Sequence, residues 1–368
     1  MLLLTVLALL ALAWAMHSQA ASLLAPSGTH AVGRSLFRLN APGQRDPMAP
    51  MQDAPRELMV WVWYPADAAA AGQQAAPYLP AAWREAIEQR NGWLVGHVLN
   101  QDLAQVHAHA IENAAMAADQ RVHPVVVLRP GGAALTAEYS TLAEDLASHG
   151  YVVVGFDAPY RARVVVMPDG RVLRRAPQND LDLVTGQGLD DLATRLVEAG
   201  VNDIAFVLDE LARLPANEPG RPFAGHLDLG RIAVVGHSLG GATAAQFCHD
   251  DARCKAGIDI DGALFGGVVH DGLKQPFMFL LSDHGQPTDA FSQRTQRDLQ
   301  SVYTRLPAAS RQWVSLPGAN HFGFSDVSRT KSRVLTRALG VLGLMPQAGD
   351  LQLEMTRQQV ESFLDRSL

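Results

Sequence analysis

The chain contains very little cysteine: Cys248 and Cys254 are the only two in 368 residues. A fold held together by a disulfide framework, or by zinc bound between Cys-x-x-Cys pairs, is therefore excluded. The two cysteines lie six positions apart, and the N-terminal segment described below indicates an oxidising compartment. We therefore expect one small disulfide between them, with two buried free thiols as the alternative.

Charged residues are also scarce, at 18% of the sequence, and the net charge is −7. This balance excludes a nucleic-acid partner, because no basic stripe is available to neutralise a phosphate backbone. The only histidine cluster, His97, His107 and His109, has no acid or cysteine at a matching ligand spacing. We therefore expect no metal and no organic cofactor. The composition does not indicate an oligomeric state.

Long apolar runs are missing from the body of the chain, so no transmembrane helix is expected there. The exception is Met1–Met16, which is apolar except for Thr5. As a helix this run would reach about 24 Å, short of the roughly 30 Å core of a bilayer. The small residues Ser18 and Ala20 follow it and suit a cleavage site, so we predict a signal peptide over residues 1–20 and a secreted or periplasmic protein. Because no basic residue precedes the run, an uncleaved membrane anchor is the alternative.

Short apolar runs alternate with helical patterns through most of the chain. The predicted strands are Leu58–Tyr64, Val125–Leu128, Tyr151–Phe156, Arg231–Val235, Ala256–Ile260, Pro276–Leu281 and Gln312–Leu316. Runs that are apolar at every position predict strands covered on both faces, as in a parallel sheet built from βαβ units. We therefore predict one α/β domain over residues 28–368, with a mostly parallel sheet and helices on both faces.

Two segments interrupt this alternation and are predicted to be insertions near the site. Residues 81–118 carry apolar residues at helical spacing and predict a helical hairpin. Residues 160–188 contain Pro168-Asp169-Gly170 between two β-rich arms, which predicts a β-hairpin. A last helix is expected over Lys331–Leu342, after the final strand.

The sequence Gly236-His237-Ser238-Leu239-Gly240 joins a predicted strand to a predicted helix. In that setting, G-x-S-x-G is typical of the nucleophile turn of the α/β-hydrolase fold, whose sharp geometry exposes the serine hydroxyl above the sheet. We therefore predict Ser238 as the nucleophile. The amide of Leu239 begins the following helix and is a candidate donor to an oxyanion.

A serine nucleophile needs a base and an acid that orients the base. His321 follows the last predicted strand directly, which is where this fold carries its base. Two acids follow neighbouring strands: Asp261 after Ala256–Ile260 and Asp283 after Pro276–Leu281. Topology alone favours Asp283 but leaves both open.

A wider set of segments resembles the platelet-activating-factor acetylhydrolase-like family of α/β hydrolases, of the plasma or isoform II type. The matching segments are Ala31–Gly33, Val60–Pro65, Glu144–Val153, Gly236–Ala242, Gly257–Gly262 and Asn320–Phe322. The resemblance implies that Asp261 is the acid and that the backbone N–H of Gly132 is the second oxyanion donor. The loop at Gly132 departs from the family, because it reads Arg-Pro-Gly-Gly where the family usually has His-Gly.

Together these residues predict a carboxylic ester hydrolase that works through an acyl-enzyme intermediate on a small ester or a lipid. An acyltransferase and a hydrolase-fold binding protein without catalysis are the alternatives. A peripheral contact with a membrane is left open by the arginines near the predicted hairpin. These arginines are Arg161, Arg163, Arg171, Arg174 and Arg175.

Overall fold

The computed structural model describes residues 18–94, 101–119, 122–283, 285, 288–330 and 349–368. The strands are β1 (Ala21–Ser22), β2 (Ala31–Arg45), β3 (Pro55–Ala66), β4 (Val106–His107), β5 (Ile111–Glu112), β6 (His123–Arg129), β7 (Val152–Asp157), β8 (Val164–Val166), β9 (Val172–Arg174), β10 (Leu227–His237), β11 (Cys254–Ile260), β12 (Phe277–Leu281) and β13 (Arg311–Ser315). The α-helices are α1 (Ala81–Leu94), α2 (Ser140–Ser148), α3 (Gln187–Arg213), α4 (Leu239–Asp250), α5 (Val268–Asp271), α6 (Ala290–Arg305), α7 (Val327–Thr330) and α8 (Gly349–Ser367).

The centre of the fold is a nine-stranded sheet in the order β13-β12-β11-β10-β6-β7-β3-β2-β5. All neighbouring strands from β13 to β7 run parallel, whereas β3 pairs antiparallel with both β7 and β2. The predicted mostly parallel sheet is confirmed. Its parallel strands end at one edge, and the candidate site lies there.

Apolar side chains fill both faces of the sheet. In β6, Val126 and Leu128 face one core cluster, which α2 and α8 cover, while Val125 and Val127 face the other, which α3, α4 and α6 cover. This is why β6 is apolar at successive positions instead of alternating. The prediction of helices on both faces is confirmed.

The two insertions differ in how closely they follow the prediction. Residues 164–174 form the expected antiparallel hairpin, β8 with β9. In the described residues of 81–118, α1 is followed by a short 3₁₀ turn, Leu103–Gln105, and then by the short strands β4 and β5. Val106, Ala108 and Ala110 are buried while the residues between them are more exposed, and this alternation is that of extended chain. Backbone pairing of β5 with β2 outweighs the helical spacing of the apolar residues before it.

The predicted disulfide is present: Cys248 at the end of α4 is bonded to Cys254 at the start of β11. Most of the predicted signal peptide, residues 1–17, and the helix predicted over Lys331–Leu342 lie outside the described residues, as does His97. Among the residues that the structure describes, no helix is both long and apolar enough to cross a membrane.

Candidate active site

Ser238 lies at the sharp turn between β10 and α4. Its backbone has φ of 55° and ψ of −121°, a conformation that costs roughly 1–3 kcal/mol for a residue with a side chain. The turn is crowded: a Cβ atom on Gly236 would lie 1.9 Å from Gly240 O, and one on Gly240 would lie 2.4 Å from Arg129 O. Only glycine fits at either position, which explains the spacing of the motif. The Ser238 N–H donates to Ile260 O at 2.8 Å and fixes the turn to β11.

His321 begins a short 3₁₀ turn, His321–Phe324, beyond β13. Asn320 caps this turn, since its Oδ1 accepts the N–H groups of Phe322 at 3.1 Å and Gly323 at 3.2 Å. The His321 ring is about one third exposed, and its Nδ1 lies 2.8 Å from Asp261 Oδ2. One face of the imidazole is therefore open while Nδ1 is held by a buried carboxylate.

Asp261 follows β11 with a positive φ of 56°. Its Oδ1 accepts the Ser282 N–H and its Oδ2 accepts the Ser282 hydroxyl, both at 2.8 Å, in addition to the contact with His321. Donors that stabilise the charged carboxylate thus surround it. Ser282 was not predicted from the sequence. A hydroxyl at the end of the strand next to the acid's own strand is the feature that points to it.

Asp283, the alternative acid, is exposed and turned toward the β13 side. Its backbone N–H donates to Ala319 O at 3.1 Å, and its Oδ2 accepts the Gly318 N–H at 3.4 Å. The structure brings Asp261, and not Asp283, to the His321 ring.

The amides of Leu239 and Gly132 lie beside Ser238. Within the described residues, neither amide donates to another protein group. A Cβ atom on Gly132 would lie 3.9 Å from Leu239 Cβ, so the two loops that carry these amides are in contact. Among the described residues, the arrangement offers two N–H donors without a protein acceptor, one at the start of α4 and one in the loop after β6.

Two cavities meet at Ser238 and Leu239. The larger has a volume of about 900 Å³ and reaches from His321 along α6 to Trp313, with Phe265 and Phe291 on its walls. The smaller has a volume of about 240 Å³ and is lined by residues 129–134, which we call the oxyanion loop after the predicted role of Gly132. Its polar lining consists largely of Arg129, Asp157, Arg161, Arg175, Asn179 and Asp182. A group attached to Ser238 therefore faces a large cavity with polar and apolar walls on one side and a small, mostly polar cavity on the other.

His237 and Tyr139 are further residues at the site that the sequence did not identify. The His237 ring is buried and lies 4.6 Å from the His321 ring, centroid to centroid. Its Nδ1 is 2.7 Å from the Tyr139 hydroxyl. Tyr139 ends a short 3₁₀ turn and directly precedes α2, a few residues beyond the oxyanion loop, and its position in the chain is the only sequence feature that points to it.

One group of potential metal ligands occurs among the described residues, away from Ser238. Asp145, His149 and Glu361 bring three ligand atoms within 4.8 Å of one another. Arg357 already supplies a cation there, since its Nη1 lies 3.0 Å from Asp145 Oδ1. The group therefore acts as an ion network between α2 and α8.

Comparison with known families identifies the chain. The family model described as platelet-activating factor acetylhydrolase, isoform II, matches residues 15–162 and 219–368. The chain belongs to this family. The unmatched residues 163–218 contain the β8–β9 hairpin and all of α3, so a wall of the smaller cavity comes from outside the family match.

Individual relatives agree with the family assignment. The chain is 22% identical over 260 residues to a platelet-activating factor acetylhydrolase of Cavia porcellus, covering 67% of this chain and 58% of that protein. It is 25% identical over 260 residues to a probable 1-alkyl-2-acetylglycerophosphocholine esterase of Arthroderma benhamiae, covering 67% of this chain and 60% of that protein. The chain thus spans about three fifths of the length of these relatives.

A solved structure extends the likeness over nearly the whole chain. The ferulic acid esterase from Streptomyces cinnamoneus has a TM-score of 0.77 and 28% identity, with 95% of this chain and 94% of that chain covered. The predicted α/β-hydrolase fold is confirmed by this match and by the sheet topology.

Proposed function

We propose that this chain hydrolyses carboxylic esters with Ser238 as the nucleophile, His321 as the base and Asp261 as the acid that orients the base. The observation that carries the proposal is the 2.8 Å contact between His321 Nδ1 and the buried Asp261 carboxylate, at a cavity that Ser238 also lines. A carboxylate holding Nδ1–H leaves the lone pair on Nε2. The base then has the tautomer that removes a proton from a hydroxyl.

Two steps follow from this arrangement. Ser238 Oγ attacks the ester carbonyl carbon as its proton passes to His321 Nε2, and collapse of the tetrahedral intermediate releases the alcohol with that proton. Water then attacks the acyl-enzyme by the same route and releases the acid. None of the hydrogen bonds among the described residues joins Ser238 Oγ to His321 directly, and such contacts commonly tighten only when substrate binds.

The amides of Leu239 and Gly132 are the proposed oxyanion donors. Both are free of protein acceptors within the described residues; Leu239 lines both cavities and Gly132 lines the smaller one. Each donor that points at the developing charge is worth roughly 3–4 kcal/mol of transition-state stabilisation.

We propose small esters and lipids as the substrate class. The relatives are named for the hydrolysis of a short acyl group from a glycerophospholipid and for an ester of an aromatic acid. Both fit a site in which a 900 Å³ cavity and a 240 Å³ cavity meet at the nucleophile. The larger cavity suits the bulkier part of the ester because its walls carry Phe265, Phe291 and Trp313.

We further propose that the chain is exported. Two observations support this: the apolar segment Met1–Met16, and the Cys248–Cys254 disulfide, which persists in oxidising compartments.

The ester proposal is tested by hydrolysis of a panel of 4-nitrophenyl esters graded by acyl length, together with a 2-acetyl glycerophospholipid. We expect Ser238→Ala to lower kcat by at least about 10⁴-fold and Asp261→Asn to lower it by about 10³- to 10⁴-fold, because each breaks the triad. Asp283→Asn is the matched control and should retain wild-type kcat. Activity that survives in Ser238→Ala would overturn the nucleophile, and a larger loss in Asp283→Asn than in Asp261→Asn would overturn the acid.

A further inference from the structure

His237 is a buried imidazole immediately before the proposed nucleophile. Its ring is only 5% exposed and packs among the rings of Tyr139, His321 and Phe324. Burial and the adjacent His321 lower the pKa of His237 to about 3. The ring is therefore neutral at ordinary pH, with one N–H donor and one acceptor nitrogen.

The neighbours of the two nitrogens fix where the proton lies. Nε2 is 2.9 Å from the carbonyl oxygen of His321, which can only accept, so Nε2 carries the hydrogen. Nδ1 is then the acceptor, and it receives the Tyr139 hydroxyl at 2.7 Å. Burial raises the pKa of Tyr139, which keeps that hydroxyl protonated.

The Tyr139 oxygen is also an acceptor. It receives the backbone N–H of Gly131 at 3.1 Å, and Gly131 is the residue before the proposed oxyanion donor Gly132. The oxyanion loop packs directly on the imidazole as well, since a Cβ atom on Gly131 would lie 3.2 Å from His237 Nδ1. One chain of three hydrogen bonds thus runs from the oxyanion loop to the backbone of the base.

We propose that these three hydrogen bonds, which link Gly131, Tyr139, His237 and His321, form a positioning bridge. The bridge holds the oxyanion donor and the base at a fixed separation around Ser238. The inference rests on the proposed ester hydrolysis and deepens it. Tyr139 and His237 make no bond to substrate in this account; they act through Gly132 and His321. Every donor in the bridge has a single acceptor, so only one orientation satisfies all four groups.

The bridge matters because an oxyanion donor contributes only where the charge develops. A loop displaced by a fraction of an ångström still binds the ester but stabilises the transition state less. Loss of the bridge should therefore lower kcat and leave KM almost unchanged. The pH profile should also keep its shape, because His237 does not titrate in the working range.

Three substitutions separate the links of the bridge. Tyr139→Phe keeps the ring and removes both hydrogen bonds of the hydroxyl. His237→Asn keeps an acceptor near the Nδ1 position but loses the donor to His321, and His237→Gln keeps a donor near the Nε2 position but loses the acceptor for Tyr139. Tyr64→Phe is the matched control, because it removes a buried tyrosine hydroxyl that donates to Ala114 O at 2.9 Å, on another part of the sheet.

We expect Tyr139→Phe to lower kcat on 4-nitrophenyl acetate about tenfold, less than the roughly hundredfold loss for complete removal of an oxyanion donor. KM should stay within about twofold. Tyr64→Phe should keep wild-type kcat even where its thermal midpoint falls as far as that of Tyr139→Phe. The double variant Tyr139→Phe/His237→Gln should be no slower than Tyr139→Phe alone, because both substitutions cut the same link.

Several outcomes would overturn the bridge. These are a wild-type kcat for Tyr139→Phe when Ser238→Ala is inactive, a loss confined to KM, a shifted pH profile, or multiplicative losses in the double variant. Should the His237 variants fail to fold, Tyr139→Phe still decides the matter because it preserves the packing of the ring. An active Ser238→Ala would instead overturn the proposed function itself.

Discussion

The surroundings of Asp259 strongly change the pKa of its carboxyl group. Its side chain is fully buried beneath the turn at Ser238, where Oδ1 accepts the Gly262 N–H at 2.8 Å. A Cβ atom on Gly241 of α4 would lie 1.8 Å from that oxygen, so the carboxyl packs directly against the helix behind Ser238. Burial, together with the nearby charge of Asp261, raises the pKa of Asp259 to about 8. Asp261, two residues on, is instead surrounded by donors.

The raised pKa of Asp259 predicts that the stability of the folded protein depends on pH. In the unfolded chain Asp259 ionises near 3.8, whereas in the folded protein it keeps its proton up to about pH 8. Folding takes up a proton between these values, so this group favours the folded state at low pH and that contribution is lost as the pH rises toward 8. We expect the free energy of unfolding of Asp259→Asn, relative to wild type, to increase by about 1 kcal/mol per pH unit across this range.

Urea unfolding at pH 5, 6, 7 and 8 measures the effect. Asp283→Asn, a change at an exposed carboxyl, serves as the control and should differ from wild type by the same amount at each pH. A constant difference between Asp259→Asn and wild type from pH 5 to 8 would contradict the prediction.

At the scale of elements, a buried ion pair links helix α8 to helix α2. Arg357 Nη1 lies 3.0 Å from Asp145 Oδ1 and also donates to Ala25 O at 2.6 Å. Asp145 further accepts the N–H and the hydroxyl of Ser27, at 2.8 and 2.9 Å. Val360 of α8 adds apolar contact to the same core. Three parts of the chain that are far apart in sequence thus meet at one carboxylate.

Arg357→Met should therefore lower the free energy of unfolding by about 3–5 kcal/mol, because it leaves the Asp145 carboxylate buried without its cation. Part of that loss should return in Arg357→Met/Asp145→Asn, where the charge is removed as well. Arg366→Met on the exposed side of the same helix is the control, with an effect below about 0.5 kcal/mol. The prediction fails if the two arginine variants unfold at the same urea concentration.

At the scale of the whole molecule, the first strand among the described residues begins just after the predicted signal peptide. Strand β1 starts at Ala21 and pairs with β4, and Leu23 is buried in the core. Cleavage after Ala20 would leave every residue of β1 in the mature protein. The proposal of export is therefore compatible with the packing of the N-terminal residues that the structure describes.

Export predicts a definite mature mass. Mass spectrometry of protein recovered from the medium or the periplasm should give a chain lacking about 20 residues, as expected for a cleaved signal peptide. Leu9→Arg places a charge in the apolar run and should leave the full-length precursor inside the cell. Full-length wild-type protein in the membrane fraction would instead favour an uncleaved anchor.

The sequence by itself determined the features that depend on near neighbours along the chain. The sharp turn at Ser238 follows from the steric demands of Gly236 and Gly240 on either side of it, and continuous apolar runs predict strands covered on both faces. The disulfide joins residues only six positions apart. These patterns are local, so they are visible before the chain is folded.

The residue pattern alone left the acid open and the family resemblance implied Asp261, but only the tertiary structure decided which distant groups meet. Asp261 and Asp283 both follow strands of the parallel sheet, and the hydrogen bond from His321 to Asp261 spans 60 residues. The contact between Tyr139 and His237 spans 98 residues. Strands β4 and β5 likewise depend on partners elsewhere in the chain. Such contacts depend on which strands become neighbours in the sheet, and the helical and strand periodicities of a sequence do not give that strand order.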